Sequence, residues 1–158
     1  MRPILYVMVG IPASGKSTYA AKIPNAVIHS SDALREELFG DVNYQGNNPL
    51  LFRTLHKRIL SDLKEGKNVV YDATNIYSRN RIKFLRELRY NHINAYKVCV
   101  WMDIDPGICV CNNKYRERNV PEDVIDNMYI HLQVPKMSEG WDCIKRVTYP
   151  YDQKEVSL

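Results

Sequence analysis

Gly10-Ile11-Pro12-Ala13-Ser14-Gly15-Lys16-Ser17-Thr18 is a full G-x-x-x-x-G-K-[ST] match. The apolar run Ile4-Leu5-Tyr6-Val7-Met8-Val9 leads straight into it, and a helix-compatible run from Lys16 to Ile23 leads out. Strand, loop and helix in that order are the context the motif needs to hold phosphate. Successive backbone N–H groups in such a loop converge on one point and make an anion nest. Gly10 and Gly15 allow the curvature and keep side chains out of the way. The following helix adds free N–H groups and its positive dipole end. Lys16 can reach the β- and γ-phosphates, and the Ser17 hydroxyl can ligate Mg²⁺. The nine residues therefore predict a site for ATP and Mg²⁺.

Working outward, the 158 residues suit one compact domain over 1–158. The chain is 45% hydrophobic and 25% charged, an ordinary globular profile, and no apolar run approaches the ~20 residues that span a membrane. The N-terminus reads directly into a strand, so neither a signal nor a transit peptide is expected. Cys99, Cys109, Cys111 and Cys143 form no C-x-x-C pair. Reduced thiols in a cytoplasmic protein are the expectation, rather than zinc or disulfides. The net charge of +4 and pI of about 8.8 are compatible with nucleic acid without being diagnostic of it. The distribution says more: Arg79, Arg81, Lys83, Arg86 and Arg89 stand against Glu87 between Ser78 and His92.

Apolar runs predict further strands at Ala26–His29, Asn68–Tyr71, Ala95–Met102 and Ile144–Tyr149, with helices between them. The helix after Pro49 carries Phe52, Leu55, Ile59 and Leu63 on one face, with Asn48 as its cap. The helix from Ser78 buries Ile82, Leu85 and Leu88. Strands alternating with helices predict an α/β domain: a parallel sheet of about five strands with helices on both faces. An arginine-bearing lid is expected at about 112–121, and a loose tail at about 150–158.

In such a sheet, ligands sit beyond the C-terminal ends of the strands. Asp32 follows the second strand, expected one strand away from the loop. A carboxylate there can accept the proton of an attacking hydroxyl, or cap the helix that runs to Phe39, or both. Arg35 lies on the same helix face and can bind a phosphate on the acceptor, unless it belongs to the solvated cluster with Glu36 and Glu37. Asp72 ends an apolar strand as a Walker-B-like carboxylate would; it can hold Mg²⁺ through water, contact the acceptor, or begin an Asx-turn with Thr74 and Asn75. Arg116 and Arg118 sit between two helices, as lid arginines over a triphosphate or as a solvated charge run. The arginines after Ser78 offer a phosphate-tracking surface or a solvated helix face.

At these residues the chain resembles the P-loop polynucleotide 5′-hydroxyl kinases of bacteriophage and bacterial RNA-repair enzymes, and the wider group of small kinases around them. The resemblance runs from about Ile4 to Val147. It is carried by the Gly10–Thr18 loop, Ser31-Asp32-Ala33-Leu34-Arg35, Asp72-Ala73-Thr74-Asn75, Arg116 to Val120, and Pro121-Glu122-Asp123-Val124-Ile125 through Met128. It implies that Gly10, Pro12, Ala13, Ser14, Gly15, Lys16, Ser17, Thr18 and Arg116 hold the nucleotide, with Ser17 as the Mg²⁺ residue. Lys16, Asp32 and Arg116 would be catalytic, with Asp32 the general base. Arg35, Asp72 and Asn75 would meet the acceptor alongside Asp32. Two departures stand out: Ala13 occupies a place where the family commonly has glycine, and Ser31 one where its phage members have arginine. The phosphatase or ligase domains that accompany the kinase in repair enzymes are absent, so a kinase module alone is expected.

The resemblance implies ATP- and Mg²⁺-dependent phosphorylation of a 5′-hydroxyl end of DNA or RNA, with nucleic acid as partner. The wider group leaves open a small-molecule hydroxyl, on a sugar, nucleoside or antibiotic. A nucleotide-binding module that hydrolyses ATP slowly or not at all is a third reading. Oligomeric state is not legible in the sequence.

Overall fold

The computed structural model describes all residues 1–158. Six strands form one sheet: β1 (Ile4–Val9), β2 (Ala26–Ser30), β3 (Asn68–Asp72), β4 (Tyr96–Asp103), β5 (Cys143–Thr148) and β6 (Asp152–Val156). The helices are α1 (Lys16–Ala21), α2 (Ser31–Phe39), α3 (Asn48–Lys64), α4 (Ser78–Tyr90), α5 (Pro106–Asn113) and α6 (Glu122–His131), with a short 3₁₀ turn at Met137–Glu139. The strand order is β2-β3-β1-β4-β5-β6. The first five strands are parallel and β6 runs antiparallel to β5.

Period-2 alternation assigns each strand residue to one of two cores. Leu5, Val7, Val9, Val69, Tyr71 and Trp101 face α2, α3 and α4, meeting Leu34, Leu55, Ile59, Phe84 and Leu88. Met8, Val70, Val98, Val100 and Met102 face α1, α5 and α6, meeting Ala20, Cys109 and Ile125. Helices therefore cover both faces, as a parallel sheet requires.

Four expectations change. The residues at 150–158 are not a loose tail: β6 pairs with β5 from Ile144↔Val156 to Thr148↔Asp152, giving six strands rather than five. β2 does not neighbour β1; β3 lies between them, so Asp32 stands two strands from the P-loop and Asp72 stands in between. The α3 cap is Asn47, whose side chain accepts from Leu50 N, and the buried stripe uses Leu51 where Phe52 was expected. In α4 it is Arg81 and Phe84 that are buried with Leu85 and Leu88, while Ile82 is only half-buried.

Arg81 is withdrawn from the basic face by a full set of partners. Its guanidinium donates to both Glu139 carboxylate oxygens and to the Asn75 and Gln133 carbonyls, at 2.8–2.9 Å. It ties the start of α4 to the 3₁₀ turn.

Candidate active site

The loop between β1 and α1 bends through Ala13 at φ 62° and Gly15 at φ 92°. Both lie in the left-handed region; glycine enters it freely, whereas alanine does so at a cost of about 1–2 kcal/mol. A Cβ on Gly10 would lie 2.7 Å from Ser14 Oγ and 2.9 Å from Met102 Cβ, so only glycine fits beneath the loop. Gly10 N donates to Thr74 O at 3.0 Å, stitching the loop to the end of β3. Ser14 is buried and its Oγ has no partner.

Lys16 is buried, and its ammonium donates to Ile11 O at 2.8 Å. Burial lowers its pKa to about 8; Asp72 opposes the shift and Arg116 adds to it. Ser17 Oγ donates to Asp72 Oδ2 at 2.7 Å. Alternation along β3 puts Tyr71 on one face of the sheet and Asp72 on the other, beside α1. Two hard oxygen donors thus stand together at the mouth of the loop, a set that suits Mg²⁺, which takes few protein ligands beside phosphate and water.

Asp32 lies in the first turn of α2, but the cap of that helix is Ser30, whose Oγ accepts from Ala33 N. Its carboxylate is instead held by two arginines: Arg118 Nη1 at 2.7 Å and Arg35 Nη1 at 3.2 Å. Arg35 is buried, not part of a solvated cluster; it also donates to Asn48 Oδ1, and burial lowers its pKa. The β2–β3 register sets Ser30 opposite Asp72, so Asp32 and Asp72 leave neighbouring strand ends.

Pro12, Ala13, Gly15, Lys16, Ser17, Thr18, Asp32, Asp72 and Arg116 line one cleft of about 360 Å³. Arg116 keeps Nη1 buried without a hydrogen-bond partner. Gly10 and Ser14 lie beneath that surface and Arg35 behind Asp32. Asn75, at φ 46°, spends its amide on the Met8 and Ala73 carbonyls and lines a different cavity.

Two residues of the cleft, Tyr151 and Asn112, escaped the sequence reading. Tyr151 lies against Gly15, where an added Cβ would meet its Cε1 at 2.9 Å. Asn112 Nδ2 donates to Ala13 O at 3.3 Å and to the Tyr151 hydroxyl at 3.2 Å. Arg118 was paired with Arg116 as a lid residue, yet it is the one that reaches Asp32. The 114–119 loop carrying both arginines is closed at its base. Asn113 donates to Val120 O at 2.6 Å and accepts from Val120 N at 3.0 Å.

A family model described as an AAA domain matches residues 5–135. Among curated proteins, the chain is 24% identical over 156 residues to an L-seryl-tRNA(Sec) kinase of Methanococcus maripaludis, covering 88% of this chain and 56% of that protein. A chain of the Pnkp1/Rnl/Hen1 RNA repair complex superposes with a TM-score of 0.68 at 20% identity, over 99% of this chain and 48% of the other. A sugar kinase from Janibacter sp. HTCC2649 superposes with a TM-score of 0.68 at 15% identity, over 95% of this chain and 87% of the other. The chain thus spans about half the length of the tRNA kinase and of the repair-complex chain, and both structural likenesses are likenesses of fold.

Proposed function

From a chain that belongs to the AAA domain family and has a P-loop kinase fold, we propose an ATP-dependent kinase that phosphorylates a 5′-hydroxyl end of DNA or RNA. The observation that carries the reading is Asp32. It is a carboxylate between Arg35 and Arg118, in the same cleft as the phosphate loop and the Ser17–Asp72 pair.

The roles follow from the positions. The loop N–H groups and Lys16 hold the β- and γ-phosphates. Mg²⁺, held by Ser17 and Asp72, neutralises phosphate charge when bound. Asp32 accepts a hydrogen bond from the acceptor hydroxyl, aims its oxygen in line with the γ-phosphorus, and takes its proton as the bond to phosphorus forms and the β–γ bridging P–O bond breaks, with ADP as the leaving group. Arg116 places its unpartnered guanidinium where charge develops on the transferred group. Arg35 and Arg118 keep Asp32 in place, and Arg118, on the cleft wall, offers donors to a phosphodiester beside the reacting hydroxyl.

That double-arginine setting favours an acceptor bearing its own phosphate, as a polynucleotide end does. A small-molecule acceptor is the second reading, favoured by the sugar kinase whose length the chain nearly fills. The deciding experiment follows label from γ-labelled ATP with Mg²⁺ into 5′-hydroxyl DNA and RNA oligonucleotides, with sugar and nucleoside pools as competitors. Labelled oligonucleotide is the expected result; label only in a small molecule overturns the polynucleotide reading.

A further inference from the structure

A cavity larger than the nucleotide cleft, a groove of about 1040 Å³, lies between α3 and α4, floored by the end of β3. Ala73 and Thr74 line both the groove and the cleft, so this segment is all that the two spaces share as a wall. The groove's charge is one-sided. Arg53, Lys57 and Lys64 project from α3 and Lys83 from α4; all four are exposed and none is in an ion pair. The one carboxylate on its walls, Glu87, is already engaged by His56 Nδ1 at 3.3 Å. His56 Nε2 lies 2.9 Å from the Tyr71 hydroxyl, so this cluster bridges α3, β3 and α4 and fixes the groove's floor. Beside the cations lie the rings of Phe52, His56 and Tyr77.

Spacing adds to the case. Arg53, Lys57 and Lys64 fall at intervals of four and seven on one face of α3, a row of about 16 Å at 1.5 Å per residue. A row of free cations with interleaved aromatics, bordering the phosphate-loop cleft at Ala73 and Thr74, matches a single-stranded polynucleotide. Its phosphates would follow the α3 row while its terminal hydroxyl reaches the cleft past Thr74.

We infer that the α3–α4 groove is the path of a single-stranded nucleic acid acceptor, with Arg53, Lys57, Lys64 and Lys83 on its backbone. The inference rests on the reading of the acceptor as a polynucleotide, and extends it to residues outside the nucleotide cleft.

The test uses the full chain and a 3′-fluorescein, 5′-hydroxyl single-stranded RNA, with binding followed by anisotropy over a range of salt and 5′-labelling followed in parallel. Arg53→Gln/Lys57→Gln/Lys64→Gln should weaken binding at least about tenfold and make the log–log salt slope shallower by about 2, at ~0.7 per lost phosphate contact. ATP affinity should not change. Arg79→Gln/Arg86→Gln/Arg89→Gln, on the part of α4 outside the groove, should bind as wild type. Wild-type binding and slope in the groove variant, with 5′-labelling intact, would overturn the groove while leaving the kinase reading standing. Groove-dependent binding without 5′-labelling would support the groove and overturn the 5′-end reading. No binding and no labelling by the wild type would overturn both.

Discussion

Lys16 is the residue whose chemistry is set most tightly by its surroundings. Burial lowers its pKa to about 8, so near neutral pH it is protonated and by pH 9 largely neutral. A triphosphate favours the charged form, so the two processes are linked. ATP affinity should be constant below about pH 7 and fall as pH rises through 8, as binding has to draw a proton from solvent. Titration calorimetry across that range checks the sign through the proton uptake; a pH-independent affinity would contradict it. Lys16→Arg should flatten the profile, since a guanidinium stays charged. Asp32 makes a separate prediction. Asp32→Asn keeps the shape of the side chain but cannot take the proton, so turnover should drop by about 10²–10⁴-fold with ATP affinity unchanged. Stopped turnover alongside lost ATP binding would instead point to a collapsed cleft. Asp32 was legible as a strand-end carboxylate; of its sequence readings the structure removes the helix cap, which is Ser30, and it pairs Asp32 with two arginines.

At the scale of elements, α4 shows how a charge pattern can mislead. Five cations against one acid read as a solvated or phosphate-facing helix, yet Arg81 is the most buried of them, its side chain 0% exposed against Glu139 at 5%. The guanidinium makes four hydrogen bonds, two of them to Glu139, and the signal for that pair lay 58 residues downstream, beyond any periodicity count. Removing one partner strands the other charge in the core. Glu139→Ala should cost about 3–5 kcal/mol of stability, read from urea unfolding; Arg81→Met/Glu139→Leu should recover much of it. A loss below ~1 kcal/mol for the single variant would mean that water reaches the site. The α3 stripe was misplaced at one position, because Phe52 faces the groove while Leu51 takes its place in the core. One residue is about 100° of helix, and an apolar pair at adjacent positions does not say which member turns inward.

Over the whole molecule, the sheet order was only partly written in the chain. Central strands such as Leu5–Val9 are apolar because both faces are covered, and that pattern is local. Which strand lies beside which is set by crossovers, so the place of β3 between β1 and β2 had no local signal. β6 had none either: Asp152 to Glu155 are all exposed, and the strand is held by backbone pairing at the sheet edge. Yet the turn between β5 and β6 lies over the phosphate loop. It sets Tyr151 against Gly15 at φ 81°, a left-handed backbone that costs a bulky residue about 1–2 kcal/mol. Such strain persists only where the surroundings over-determine it. Here the ring meets Gly15, and Asn112 joins the Tyr151 hydroxyl to the Ala13 carbonyl. Tyr151 therefore braces the loop backbone. Tyr151→Ala should weaken ATP and inorganic tripolyphosphate by the same factor, because both rely on the same N–H groups. Equilibrium competition against a fluorescent nucleotide measures the two together. Intact tripolyphosphate affinity with weakened ATP would move Tyr151 from the loop to the nucleoside, and make β6 part of base recognition instead.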